Sequence, residues 1–239
     1  YYYWYCWNCF YSPSRGMMFG GVRVSGSPIE YFEDVKATGN PARYGVFIYD
    51  VTDEAKDAFI RGRDFKAVAD QGDNMTKGML LLVVYEKDEP DENEPLIEYW
   101  IDEGAERMMA DNRAGKEMDY ATGFQPEQCT ANASFDGVVN ITKVSKAELF
   151  TALAFNSVYD PDKLVFGNEG DALLFNGWPV GSVRNKTGHW DYEGVESVAL
   201  TWPHWVNVTT YLKSHDNLAQ IQSKGNCIMA TNAVLKVTY

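Results

Sequence analysis

Four cysteines, three histidines and several acidic clusters are the residues of this 239-residue chain that could do chemistry. Cys6 and Cys9 form a C-x-x-C inside the opening stretch "YYYWYCWNCF". A dithiol redox site needs that motif at a helix N-terminus after a strand, where the helix dipole lowers the thiol pKa. Here aromatic residues surround it and no helical pattern follows. No second C-x-x-C completes a zinc set, and His189, His204 and His215 lack H-x-x-x-H spacing. The tripeptide "SHD" at 214–216 holds triad residue types, but neighbours in a chain cannot point at one another as a triad requires. Gly16, Gly20 and Gly21 are not followed by Gly-Lys-Ser/Thr, so no phosphate loop is expected. The acidic stretches "EPDENEP" and "YDPDKLVFGNEGD" (with Asp160, Asp162, Glu169 and Asp171) could attract calcium by charge, yet neither has the EF-hand register. Calcium is therefore the one ion left open. The expectation is a protein without catalytic or metal-ligating residues, that is, not an enzyme.

The cysteines point instead to cross-links. Cys129 and Cys227 each precede an expected strand in the second half of the chain and are the favoured internal pair. Such a bond would close a loop of about a hundred residues, worth roughly 4–5 kcal/mol in the chain-entropy picture. Cys6 and Cys9 face opposite sides if their strand is regular, and would then serve two different bonds; a turn at Trp7-Asn8 would let them pair with each other. All three complete pairings of four cysteines stay open. N-x-S/T sequons at Asn74, Asn132, Asn140, Asn185 and Asn207 are candidate glycosylation sites, meaningful only outside the cytosol. Sequons and an even cysteine count together favour an extracellular, cell-surface location.

The net charge of −13 repels nucleic acid and anionic lipid, which excludes both as partners. No run of eighteen apolar residues is present, so no membrane span is expected. The opening segment has neither the basic start nor the small-residue cleavage site of a signal peptide. With no initiator Met, it is expected to be a processed start with upstream sequence lost.

The elements that must position these residues read as strands. Aromatics at 14% and frequent β-branched residues favour β structure. A self-comparison shows an internal repeat. "MMFGGVRVSGS" (17–27) matches "LLFNGWPVGS" (173–182), and both hold a two-residue hairpin signal, Gly20-Gly21 and Asn176-Gly177. "YGVFIYDVTDEAKD" from Tyr44 matches "HWVNVTTYLKSHD" from His204, aligning Val51-Thr52 with Val208-Thr209. "LLLVVYEKD", with Tyr85, matches "NAVLKVTY", ending at Tyr239; "YYYWYCW" and "AELFTALAF" lead the two halves. Thr52 reads as a helix N-cap followed by acidic residues. "MLLLVVY" reads as a strand buried on both faces, and "VLKVTY" as one buried on the face of Leu235, Val237 and Tyr239. The resulting fold class is all-β: two tandem antiparallel β-sandwich, jelly-roll-like modules with a few short helical turns, spanning 1–123 and 124–239.

The phrases "GVFIYDVTDEAKD", "MLLLVVYEKDEP…PLIEYWIDEGAE", "ASFDGVVNITKVSKAELF", "DALLFNGWPVG" and "NAVLKVTY" resemble a family of duplicated surface proteins from methanogenic archaea, a domain of unknown function. The resemblance covers nearly the whole chain, and "VVYE…IEYWIDEGAE" is its most specific part. It implies export and, as for some members, residence in a cell-surface layer, with a first module that is either incomplete here or completed by another chain. With its cysteines, aromatics and acidity, the sequence is also similar to the sheath subunits of filament-forming methanogens. The function so implied is a structural subunit whose partners are copies of itself, polymerising through β edges and disulfides. A carbohydrate-binding or adhesion module for cell-surface glycans is the alternative, with Trp178, Trp190, Trp202 and Trp205 as its aromatic candidates.

Overall fold

A computed structural model of the chain describes residues 2–6, 16–24, 30–34, 43–69, 75–86, 94–109, 125–155, 172–182, 205–223 and 227–239. The fold is all-β, with several antiparallel sheets and one α-helix among the described residues. The strands divide into two compact units, Tyr1–Leu82 and Val83–Tyr239.

The first unit holds β1 (Tyr2–Cys6), β2 (Met17–Phe19), β3 (Val22–Arg23), β4 (Glu30–Asp34), β5 (Arg43–Ile48), α1 (Thr52–Ile60), β6 (Ala67–Ala69) and β7 (Met75–Met79). They form two sheets, ordered β4-β5-β1-β7 and β3-β2-β6. One core lies between them: Met17 and Phe19 from β2 and Phe47 from β5 are buried together, with Ala67, Ala69 and Met79 packed against them.

The second unit holds β8 (Ile97–Met109), β9 (Thr130–Phe135), β10 (Lys146–Phe155), β11 (Ala172–Phe175), β12 (Trp178–Ser182), β13 (Val206–Asn207), β14 (Asn217–Gln222) and β15 (Cys227–Thr238). Its sheets run β13-β10-β15-β8 and β12-β11-β14-β9. Leu149, Leu235 and Val237 from the first sheet meet Leu173, Phe175 and Ile221 from the second in one apolar core. Burial on alternate positions is what lets a half-polar strand such as β14 contribute to it.

The same local bonds recur in both units. The β2–β3 turn has Gly20 and Gly21 at φ 57° and 83°; the β11–β12 turn has Asn176 and Gly177 at 52° and 84°. Positive φ at both central residues matches the strand twist of a tight hairpin, which is why Gly and Asn stand there. Gly20 donates its N–H to Lys66 O at 2.9 Å, and Asn176 donates to Leu218 O at 2.8 Å. Asp50 Oδ1 accepts the Thr52 N–H at 2.9 Å, and Asn207 Oδ1 accepts the Thr209 N–H at 3.0 Å. Thr52 is therefore not the cap of α1 but its first helical residue, and the acceptor sits two residues earlier.

Two expectations differ from the structure. The compact units divide between Leu82 and Val83, upstream of the 123/124 boundary, because β8 pairs with β15 from Thr238↔Ile97 to Cys227↔Met109. "MLLLVVY" is strand only as far as Met79; Leu81–Tyr85 carry no strand assignment and, apart from half-buried Leu82, stand exposed.

Candidate functional site

The residues singled out for chemistry do not converge among those described. Cys6 ends β1 opposite Arg43, and Cys227 opens β15 opposite Met109. Cys129 is a buried thiol of the second core, and its carbonyl accepts the Ser223 N–H at 2.9 Å. No disulfide joins described residues. Cys9, His189, His204, Asn74, Asn185, Trp190, Trp202 and the acidic stretch 159–171 lie outside the described residues. His215 is exposed, with Nδ1 2.6 Å from Asp216 Oδ2. Among the described residues no group of His, Cys, Asp and Glu is arranged to hold a metal ion.

Three sequon asparagines are described, and all are exposed. Asn132 Oδ1 accepts from Gln220 Nε2 at 3.0 Å, Asn140 Oδ1 from Thr142 Oγ1 at 2.7 Å, and Asn207 Oδ1 from the Thr209 backbone. Each bond uses the amide oxygen, so a glycan on the nitrogen would leave it in place.

One ionic cluster and one hydrogen-bonded cluster lie on the β10–β15–β8 sheet. Lys146 Nζ lies 2.6 Å from Glu148 Oε1, and Lys236 Nζ lies 3.3 Å from Oε2. Burial pushes the Glu148 carboxyl up, but the two lysines outweigh it and hold the group below its ordinary value. Lys236 Nζ also sits 5.7 Å from the Trp205 ring centre, and Trp205 packs on Phe150. On β8, Asp102 Oδ2 accepts the Ser134 N–H at 2.9 Å, and Trp100 Nε1 donates to Asp136 O at 2.7 Å. Burial is the main cause that raises the Asp102 carboxyl, outweighing the Ser134 bond.

Two stretches of the chain expose several apolar side chains each. β8 is the last of the described strands of its sheet, and Ile97, Tyr99 and Ile101 on one face of it are exposed. Leu81, Val83, Val84 and Tyr85 are exposed as well, on a segment of high strand propensity. Exposed apolar strands at a sheet edge can template pairing with another chain. The sequence signal for them was present in "LLLVVY" and "LIEYW"; their exposure was not. No helix among the described residues is long and apolar enough to cross a membrane.

A protein family matches residues 1–238. The chain belongs to that family, described as "Protein of unknown function (DUF3344)". Membership in DUF3344 thus covers both compact units and assigns neither an activity. No curated protein matches the chain, and no solved structure does.

Proposed function

We propose that this DUF3344 protein is a structural subunit of an extracellular archaeal cell-surface assembly, a sheath or surface layer, that polymerises through β-edge contacts. The observation that carries this reading is the pair of exposed apolar segments, Leu81–Tyr85 just past β7 and Ile97–Ile101 on β8, in a chain of net charge −13. A solvated monomer gains nothing from such edges, whereas strand addition between copies buries them and satisfies their backbone groups. The exposed sequon asparagines suit a surface location, and the cysteines offer bonds between copies. Sedimentation of the full chain over a concentration range, with electron microscopy and with and without reductant, tests it. Ordered, concentration-dependent assemblies that V83K or I101K weakens are the expected result; a monomer throughout sinks the reading.

A glycan-binding role is the second reading, favoured by one observation. Trp178 is 60% exposed and stacks on Tyr211 with ring centres 5.9 Å apart, a flat aromatic platform of the kind that sugars stack on. Retention on a glycan array that W178A abolishes would favour this reading over the first.

A further inference from the structure

Of the five sequons, the one at Asn207 has an aromatic residue two positions before it, in Trp205-Val206-Asn207-Val208-Thr209. The corresponding positions of the other four are Gly72, Thr130, Val138 and Val183. Side chains two apart on a strand share a face, so this spacing sets an indole beside the asparagine wherever the segment is extended.

The second unit meets that condition. Val206 lies opposite Leu149 and Asn207 opposite Glu148 on β10. Trp205 packs on Phe150, which shares a face of β10 with Glu148, with ring centres 5.6 Å apart. Val206 and Val208 belong to the apolar core, 6% and 0% exposed. Trp205 and Asn207 therefore stand together on the face of the sheet turned away from that core, the first half-buried and the second exposed. Lys236, opposite Glu148 on β15, completes the patch. Its Nζ lies 3.3 Å from Glu148 Oε2 and 5.7 Å from the Trp205 ring centre.

The asparagine is also held in place. Its Oδ1 accepts the Thr209 N–H at 3.0 Å, and Thr209 Oγ1 accepts the Ala147 N–H at 2.8 Å. The first bond uses the amide oxygen and leaves the nitrogen for a sugar link. At the exposed sequons Asn132 and Asn140 the side-chain amide meets Gln220 and Thr142 instead, neither of which offers a ring.

We propose that Asn207 carries an N-linked glycan whose first pyranose ring lies against the Trp205 indole, with Glu148 and Lys236 beside its hydroxyls. The C–H face of a pyranose suits an aromatic surface, and the carboxylate and ammonium supply an acceptor and donors for hydroxyl groups. The bond formed joins Asn207 Nδ2 to the anomeric carbon. The bond broken joins that carbon to the phosphate oxygen of a sugar-phosphate donor, which leaves with its electron pair while one amide proton is released. A glycosyltransferase of the producing cell makes the transfer. The inference rests on the cell-surface reading for its setting and goes beyond it in choosing one sequon and the surface that holds its sugar.

The test recovers the protein from the surface and from the interior of the cells that make it, and maps glycopeptides at all five sequons. Asn207→Gln is also made in a host that glycosylates N-x-S/T and in one that does not, each with Trp205, Trp205→Phe or Trp205→Leu. The expected results are sugar on Asn207 and a melting-temperature loss for N207Q about 2–4 °C larger in the glycosylating host. W205F, which keeps a ring, should retain most of that excess, and W205L, which keeps only apolar bulk on Phe150, should erase it. Sugar on other sequons with Asn207 bare overturns the proposal, as does a surface protein without sugar; both leave the surface reading standing. An excess that W205L leaves unchanged overturns it as well. A chain found only in the cell interior sinks the surface reading, whereas sugar on Asn207 there, with the Trp205-dependent excess, would still uphold the proposal.

Discussion

The repeat in the sequence sets Leu81, Val83 and Tyr85 against Leu235, Val237 and Tyr239, yet the first three are exposed, whereas Leu235 and Val237 are core and Tyr239 packs against it partly buried. Both segments are strand-prone, the first apolar at every position from Met79 to Tyr85 and the second on the face of Leu235, Val237 and Tyr239. What differs is the company: β15 lies between β10 and β8, whereas the described ladder of β7 runs only to Met79, on β1. An apolar strand pattern therefore states what a segment can bury, and the neighbouring strands decide whether it does.

The largest effect that tests this contrast is a matched pair of truncations. Leu235→Ala should cost about 2–5 kcal/mol, as a fully buried leucine leaving a cavity. Leu81→Ala should stay within roughly 0.5 kcal/mol, as an exposed change. Urea unfolding of both variants measures it, and equal losses would break the comparison.

Next is the ion cluster beside β15. Glu148→Gln should cost about 1 kcal/mol, because it removes the charge that both lysines face in a half-buried setting. The folded carboxyl is held below its ordinary value of 4.5, so its contribution is present above that pH and lost as pH falls through the folded value. Thermal unfolding from pH 7 to pH 3 should show wild type and variant converging in acid.

The paired turns give a smaller and sharper contrast. Asp50→Ala and Asn207→Ala each remove an acceptor for the threonine two residues on, and each should lower the melting temperature slightly. The Thr52 hydroxyl and amide hold the Asp50 carboxyl below its ordinary range, so that loss should fade as the pH drops below about 3.8. The Asn207 loss should not change with pH, because an amide does not titrate there.

The smallest effect concerns β8. Asp102→Asn keeps an acceptor for Ser134 and removes a charge that burial disfavours, so stability at neutral pH should rise or fall by no more than about 0.5 kcal/mol. The folded carboxyl is raised, so the wild type should lose ground to the variant as pH climbs through that value.

The local features of the fold were legible because local chemistry fixes them. Gly20-Gly21 and Asn176-Gly177 announce turns through the positive φ that few residues accept. The acidic first turn of α1 announced the helix, although Val51 holds the cap position and Thr52, bonded to Asp50, is its first helical residue. The unit boundary was not legible, since β8 belongs with β15 through a ladder to residues more than a hundred positions away. For the same reason the exposed segment Leu81–Tyr85 was read as buried: an apolar run carries no record of missing neighbours. Cys129 lies in the core as a small buried thiol, a place that an even cysteine count cannot distinguish from a disulfide.

Amide exchange of the full chain, measured dilute and concentrated, tests the central claim most directly. The account predicts fast exchange at Leu81–Tyr85 in dilute solution, protection there once copies assemble, and slow exchange at Val234–Val237 in both. Protection of Leu81–Tyr85 in the dilute chain, or its continued fast exchange in the assembled one, would contradict it.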